Sequence, residues 1–228
     1  MKLKTDAEMM SYVFPPQGLL VQDARVVHFI RDPVEIIVSA FLWHSTADEG
    51  WNTRRDWWCT GVAGSPLNHT ERVAYPGAVH CTPGTSYQEY LRTAPEPEAV
   101  LFEAYRSRQE IFPNMLQGIR LIRQSGRGLN ICLEDLEGDF EAGMRLILAE
   151  CGVAPDSARM ACLLEKTRFL DPRAGEMGGH STKSLPGYRA VKARLIEHLR
   201  NDTPLWGHLM EMRAMVGCHR RGGAEGAG

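Results

Sequence analysis

The sequence predicts an α/β protein, with helices packed around a small parallel sheet. Three observations carry that prediction. Two short apolar runs, 25–30 and 129–133, read as strands; the first is rich in β-branched and aromatic residues and nearly unbroken, as a strand of a parallel sheet is. The first run passes through one tight turn into a segment with helix-start chemistry and helical spacing. Almost everything from 86 onward shows apolar positions at helical intervals. A length of 228 residues fits one domain, 1–219, with an irregular insertion at 45–85 and a small polar tail at 220–228 expected to be disordered.

Each element has a local reason. After the strand Arg25-Val26-Val27-His28-Phe29-Ile30 come Arg31-Asp32-Pro33-Val34-Glu35. Asp32 is a helix cap, Pro33 suits the first helical position, and Glu35 sits where a capping box places its acid. Ile36, Ile37, Ala40, Phe41 and His44 then follow at helical spacing. From 45 to 85 no period holds, and Gly, Pro and Asn mix with Trp51, Trp57, Trp58 and Tyr75. A structureless stretch of about 40 residues is uncommon and usually functional or disordered, and its aromatic load argues against disorder. Helix resumes near Ser86 and again from Pro97, with an apolar stripe through Phe112, Met115 and Ile119, and Pro113 is expected to break or kink it. The second strand ends in Glu134-Asp135-Leu136, and a helix bearing Phe140, Met144, Ile147 and Leu148 stops at Gly152. Three helices, near 156–169, 188–200 and 205–216, complete the chain.

Composition narrows the function. Lys and Arg number 26 against 28 Asp and Glu, so a nucleic-acid binder held by bulk positive charge is excluded. No stretch approaches the roughly 18 apolar residues that span a membrane, and residues 1–10 lack the apolar core of a signal peptide. Six cysteines are too sparse for a disulfide scaffold, none forms a C-x-x-C pair, and no Cys/His cluster has zinc-finger spacing. Reduced, mostly buried thiols are expected, with one pair left open: Cys59 and Cys81 bracket the aperiodic segment, and a bond between them would favour a secretory lumen. Asn68-His69-Thr70 and Asn201-Asp202-Thr203 match the glycosylation pattern, which chance also produces.

The chemistry gathers at the first strand's end. In such folds ligands bind beyond the carboxyl ends of the strands. Arg31 stands there, with a planar fork that holds two phosphate oxygens at once. Ser39, eight residues on, offers a hydroxyl to the same anion, and the helix amino terminus favours negative charge. The same residues also serve a plainer purpose: Arg31 and Asp32 as a local ion pair and cap, Ser39 as a small residue at a helix crossing.

The whole string from Val27 to Phe41, a hydrophobic strand running into Arg-Asp-Pro with a serine eight residues after the arginine, closely resembles the 3′-phosphate-binding strand–turn–helix of sulfotransferases that use 3′-phosphoadenosine 5′-phosphosulfate (PAPS). The resemblance implies that Arg31 and Ser39 bind the cofactor's 3′-phosphate, and that PAPS donates a sulfuryl group to a hydroxyl or amine of a small-molecule, carbohydrate or protein acceptor. Glu134-Asp135-Leu136 and its helix look like the family's Tyr-Glu-Asp-Leu segment, with Leu133 in place of the tyrosine. The stretch 178–184 stands where the family has a late cofactor loop, which makes Lys183 a candidate phosphate contact.

The sequence departs from the family at the sulfuryl end. A loop whose backbone N–H groups and lysine cradle the 5′-phosphosulfate is expected, yet neither Gly-x-x-x-x-Gly-Lys-Ser/Thr nor Lys-Ser/Thr-Gly-Thr occurs, and Lys4-Thr5 and Thr182-Lys183-Ser184 are faint echoes. Only 30 residues precede Arg31, so the implied P-loop-like sulfotransferase architecture is amino-terminally incomplete. No catalytic base is assigned: His28 lies inside the strand, and His44 is placed at the cleft end of its helix, where donating to the terminus suits it better. Two readings follow: a sulfotransferase, or a catalytically degenerate domain that keeps one nucleotide-phosphate pocket. The family's compartments are the cytoplasm and, where an amino-terminal anchor is present, the Golgi lumen.

Overall fold

The computed structural model describes residues 25–50, 52–53, 84–171 and 186–218. They gather into two compact units. Among the described residues the chain is mostly helical, with eight α-helices and one two-stranded parallel sheet.

The strand unit holds residues 25–30, 110–171 and 218. Strand β1 (Val26–Ile30) and strand β2 (Gly128–Cys132) pair in parallel, Val26 opposite Gly128 and Ile30 opposite Cys132. The strand β1 is less buried than its unbroken apolar run predicts: Ile30 is buried, but Phe29 is 51% exposed. A strand with one ladder partner among the described residues keeps an open edge, so it does not reach the two-sided burial of a central strand. The chain turns helical at once after β2, where the sequence pattern carried the strand on to Leu133. Helix α4 (Leu133–Gly138) turns Leu136 inward, where it clusters with Ile131 and Phe140. Helix α5 (Phe140–Glu150) starts at Asp139, whose carboxylate accepts the Ala142 N–H at 3.0 Å. Helix α6 (Ala158–Thr167) is capped by Ser157, and its Met160 and Leu164 meet Val153 in a second cluster. Met144 packs against both clusters and joins them.

Cysteine usage differs from the expected set of buried thiols. Cys132 and Cys218 form a disulfide, with Cα atoms 5.5 Å apart, while Cys151 and Cys162 are free and exposed. The separation of 86 residues hid the pair from sequence reasoning. The fold closes it by ending β2 at Cys132 and by turning the chain at Gly217, in the left-handed region at φ +79°, just before Cys218. Cys59, Cys81, Asn68 and the tryptophans at 51, 57 and 58 lie outside the described residues.

The helical unit holds residues 31–50, 52–53, 84–109 and 186–217. Helix α1 (Pro33–His44) packs on α2 (Tyr87–Thr93), α7 (Tyr188–Asn201) and α8 (Thr203–Val216). Ile37, Val38, Leu195, Leu199, Leu205 and Leu209 are fully excluded from solvent. Side chains of Asp32, Ser86 and Asp202 accept the early N–H groups of α1, α2 and α8, the first of these as the sequence predicts. The aperiodic stretch begins in order: the Asn52 amide donates to the Ala47 carbonyl at 2.9 Å, and the Asn52 carbonyl accepts the Gln88 N–H at 2.9 Å.

Helix α3 (Glu96–Ser125) spans 30 continuous residues that include Pro113, so of the expected break or kink the break does not occur. Proline removes one N–H from the ladder. Here it stands on an exposed face, the Asn114 side chain adds a bond to the Glu110 carbonyl at 2.7 Å, and Phe102, Phe112, Met115 and Ile119 hold the apolar stripe buried on either side.

Gly128 and Gly143 test the strand unit's packing. A Cβ at Gly128, where φ is +145°, would meet the Val26 backbone carbonyl oxygen at 2.4 Å, and one at Gly143 would meet a Leu136 methyl at the same distance. A backbone oxygen in the β ladder cannot turn aside, whereas a leucine methyl can. Gly128→Ala is expected to lower stability by about 2–3 kcal/mol and Gly143→Ala by about 1 kcal/mol. Urea unfolding of both variants checks the order, and a reversed order would overturn the register of β1 on β2.

Candidate functional site

Arg31 is the first residue of the helical unit, and Asp32 behind it does two things. Its Oδ1 accepts the Val34 N–H at 2.9 Å, and its Oδ2 accepts from Arg213 of α8. The cap predicted from Asp-Pro is therefore present, and a cation from the far end of the sequence comes with it. One turn on, Glu35 pairs with Lys192 of α7. Arg31 and Ser39 are both half-buried. Ser39 lies one turn beyond Glu35 on the same face of α1, about 9 Å along the axis from Pro33. Two cationic side chains, Lys192 and Arg213, thus pair with the carboxylates of Glu35 and Asp32 at the first turns of α1, and Arg31 directly precedes Asp32 in the chain. Neither Lys192 nor Arg213 was legible as part of this cluster. Their positions in sequence carry no motif, and only the packing of α7 and α8 on α1 brings them there.

A second polar cluster sits at the other end of α1. Glu103 of α3 is fully buried and carries four partners. Arg106 donates to its Oε1 at 2.7 and 3.1 Å, His44 Nδ1 lies 2.9 Å from Oε2, the Tyr87 hydroxyl donates to Oε2, and Ser107 reaches Oε1 at 3.4 Å. Arg106 also donates from Nε to the Tyr87 oxygen at 3.0 Å. Burial alone would raise the Glu103 carboxyl, but the Arg106 guanidinium and the hydrogen bonds from His44 and Tyr87 outweigh it and bring it down to about 2. Burial first, and the Glu103 charge second, push the Tyr87 phenol well above its usual range. This cluster is a structural clamp, and it corrects the reading of His44. The ring is buried and committed to a carboxylate inside the unit, where the sequence placed it facing a cleft.

The remaining candidates separate cleanly. His28 stays in β1, its Nδ1 2.9 Å from the Asn130 side-chain oxygen across the ladder, and burial lowers its pKa. Leu133, Glu134 and Asp135 open α4. Asn201 is exposed at the end of α7, and Asp202 and Thr203 beside it are used in starting α8. Stretch 178–184 with Lys183, and Lys4-Thr5, lie outside the described residues. Among those residues no helix is long and apolar enough to cross a membrane.

The Glu103 clamp makes a pH prediction. A carboxylate held at about 2 instead of its ordinary 4.5 favours the folded state above pH 4.5, and that contribution is lost as pH falls from 4.5 toward 2. Glu103→Gln is expected to cost about 3–5 kcal/mol at neutral pH, because it leaves the buried Arg106 uncompensated. It is also expected to flatten the acid limb of stability, read as urea midpoint against pH. An acid limb unchanged from the parent chain would show that Glu103 is not the titrating group. In comparisons with known proteins no family model matches this chain, and neither a curated protein nor a solved structure matches it.

Proposed function

We infer that this chain is a PAPS-dependent sulfotransferase-type protein whose nucleotide 3′-phosphate is gripped at the start of α1. One observation supports the reading above the others: the string Val27–Phe41 is laid out as strand, link and Asp32-capped helix, with Arg31 in the link and Ser39 in the helix. Arg31 takes two phosphate oxygens in its fork, the Ser39 hydroxyl donates to a third, and the α1 amino terminus adds about 0.3–1 kcal/mol. Lys192 and Arg213 raise the local potential while their own partners hold them in place. PAPS, when bound, supplies the sulfuryl group, and the acceptor's hydroxyl or amine receives it on a small molecule, carbohydrate or protein.

A second reading, a nucleotide-binding domain without transfer, is favoured by a specific observation. The two histidines near the motif are both committed, His28 to Asn130 and His44 to Glu103, and the sequence holds no 5′-phosphosulfate loop.

Thermal denaturation with 3′-phosphoadenosine 5′-phosphate tests binding. At about 100 times its dissociation constant the nucleotide stabilises the chain by about 2.7 kcal/mol, read as a rise in Tm. Arg31→Ala is expected to abolish the rise, Arg31→Lys to restore little of it and Ser39→Ala to reduce it. No rise at millimolar nucleotide, or a rise that survives Arg31→Ala, would overturn the assignment. Binding without sulfated product from PAPS would select the second reading.

A further inference from the structure

The geometry points to a second chemical state of the Cys132–Cys218 pair: once reduced, the two thiolates and the Glu134 carboxylate form a three-ligand site for zinc. The site stands apart from the nucleotide reading and lies wholly in the strand unit. The two sulfurs and a Glu134 oxygen all lie within 4.8 Å of one another. Two of the three ligands are set on regular structure, Cys132 as the last residue of β2 and Glu134 as the second residue of α4. The third follows the left-handed turn at Gly217. Cys132 and Cys218 are 8% and 3% exposed, and the Glu134 Oε2 is shielded from solvent, so the donor set is sheltered from bulk water.

The donor chemistry selects the ion. Calcium and magnesium require oxygen ligands throughout, which two sulfurs exclude. Zinc takes thiolate sulfur at about 2.3 Å and carboxylate oxygen at about 2.0–2.2 Å, in tetrahedral sites whose sulfurs stand about 3.8 Å apart. Sulfurs carried on Cα atoms 5.5 Å apart reach that spacing by side-chain rotation once their bond is broken. Three protein ligands leave a fourth position for water or a solute donor, the arrangement of reactive zinc sites. A disulfide offers no thiolate, so the oxidised and metal-bound states exclude each other.

The interconversion balances. A dithiol reductant delivers two electrons and two protons, the S–S bond breaks, and the reductant leaves as its own disulfide. Zinc then displaces the two thiol protons to solvent, and the carboxylate binds as the anion. Two thiolates and a carboxylate crowded together without a cation would repel strongly, so the reduced apo state keeps its thiols protonated.

The test uses the full chain with Cys59, Cys81, Cys151 and Cys162 changed to serine, which leaves one thiol pair. Reduced with a phosphine, this variant is expected to bind one equivalent of Co²⁺ with thiolate charge-transfer absorption, and Zn²⁺ to displace it. The oxidised variant is expected to bind none. Glu134→Gln is expected to weaken zinc about tenfold or more, since even outer-shell changes cost 10–100-fold. Should the serine variant fail to fold, the reduced parent chain answers the same question: zinc protects Cys132 and Cys218 from alkylation while Cys151 and Cys162 still react. Absence of stoichiometric metal in the reduced chain, equal binding by the oxidised chain, or unchanged affinity in Glu134→Gln would each overturn the site.

Discussion

A single buried anion organises the helical unit. Taking the Glu103 carboxylate out of water costs several kcal/mol unless every lone pair is answered, and here the answers come from three separate helices. His44 closes α1, Tyr87 opens α2, and Arg106 and Ser107 stand one turn along α3 from Glu103 itself. Because each donor is spent on the same two oxygens, the helices that carry them cannot shift independently. The rings of Tyr87 and Phe102, with centroids 5.6 Å apart, close the apolar side of the cluster. The Arg106 guanidinium lies 5.5 Å over the Tyr87 ring as well as against the carboxylate.

Helix α1 is consequently pinned by charge at both ends. Its carboxyl end is tied through His44 to Glu103, and its amino end through Asp32 to Arg213 and through Glu35 to Lys192. Between those anchors, Ile37, Val38 and Phe41 turn inward and set which face is buried. The half-buried position of Ser39 follows from that rotation.

Local chemistry was readable in the chain, and long-range pairing was not. Asp32-Pro33 and Gly152 mark helix ends through backbone rules that depend on a few neighbours, and they stand where those rules place them, as does the helix start expected near Ser86. Both strands were found from short apolar runs, each within one residue of its observed ends. Pro113 does not end its helix, because one lost hydrogen bond is outweighed by an apolar stripe buried on both sides. The cysteine rule failed because it counts residues and cannot see a turn at Gly217 closing on the end of β2. Arg31 and Ser39 stand out in the sequence itself, whereas the pairing of Lys192 with Glu35 and of Arg213 with Asp32 depends on the packing of α7 and α8 on α1. Glu103 and Arg106 share one turn of α3, and neither residue was singled out in the sequence. Only the fold shows that their turn faces inward.

The parallel pairing of β1 with β2 also shapes how the chain is made. His28 and its cross-strand neighbour Asn130 are 102 residues apart, so no hairpin joins these two strands, and their pairing carries the loop-closure entropy of that whole interval. On a ribosome adding 5–20 residues per second, β1 waits about 5–20 s before its ladder partner has been synthesised. Throughout that interval an apolar segment bearing Phe29 lacks the β2 backbone groups it pairs with in the folded chain. Its vulnerability to wrong partners is therefore greatest in the nascent chain, and the register enforced at Gly128 ends it.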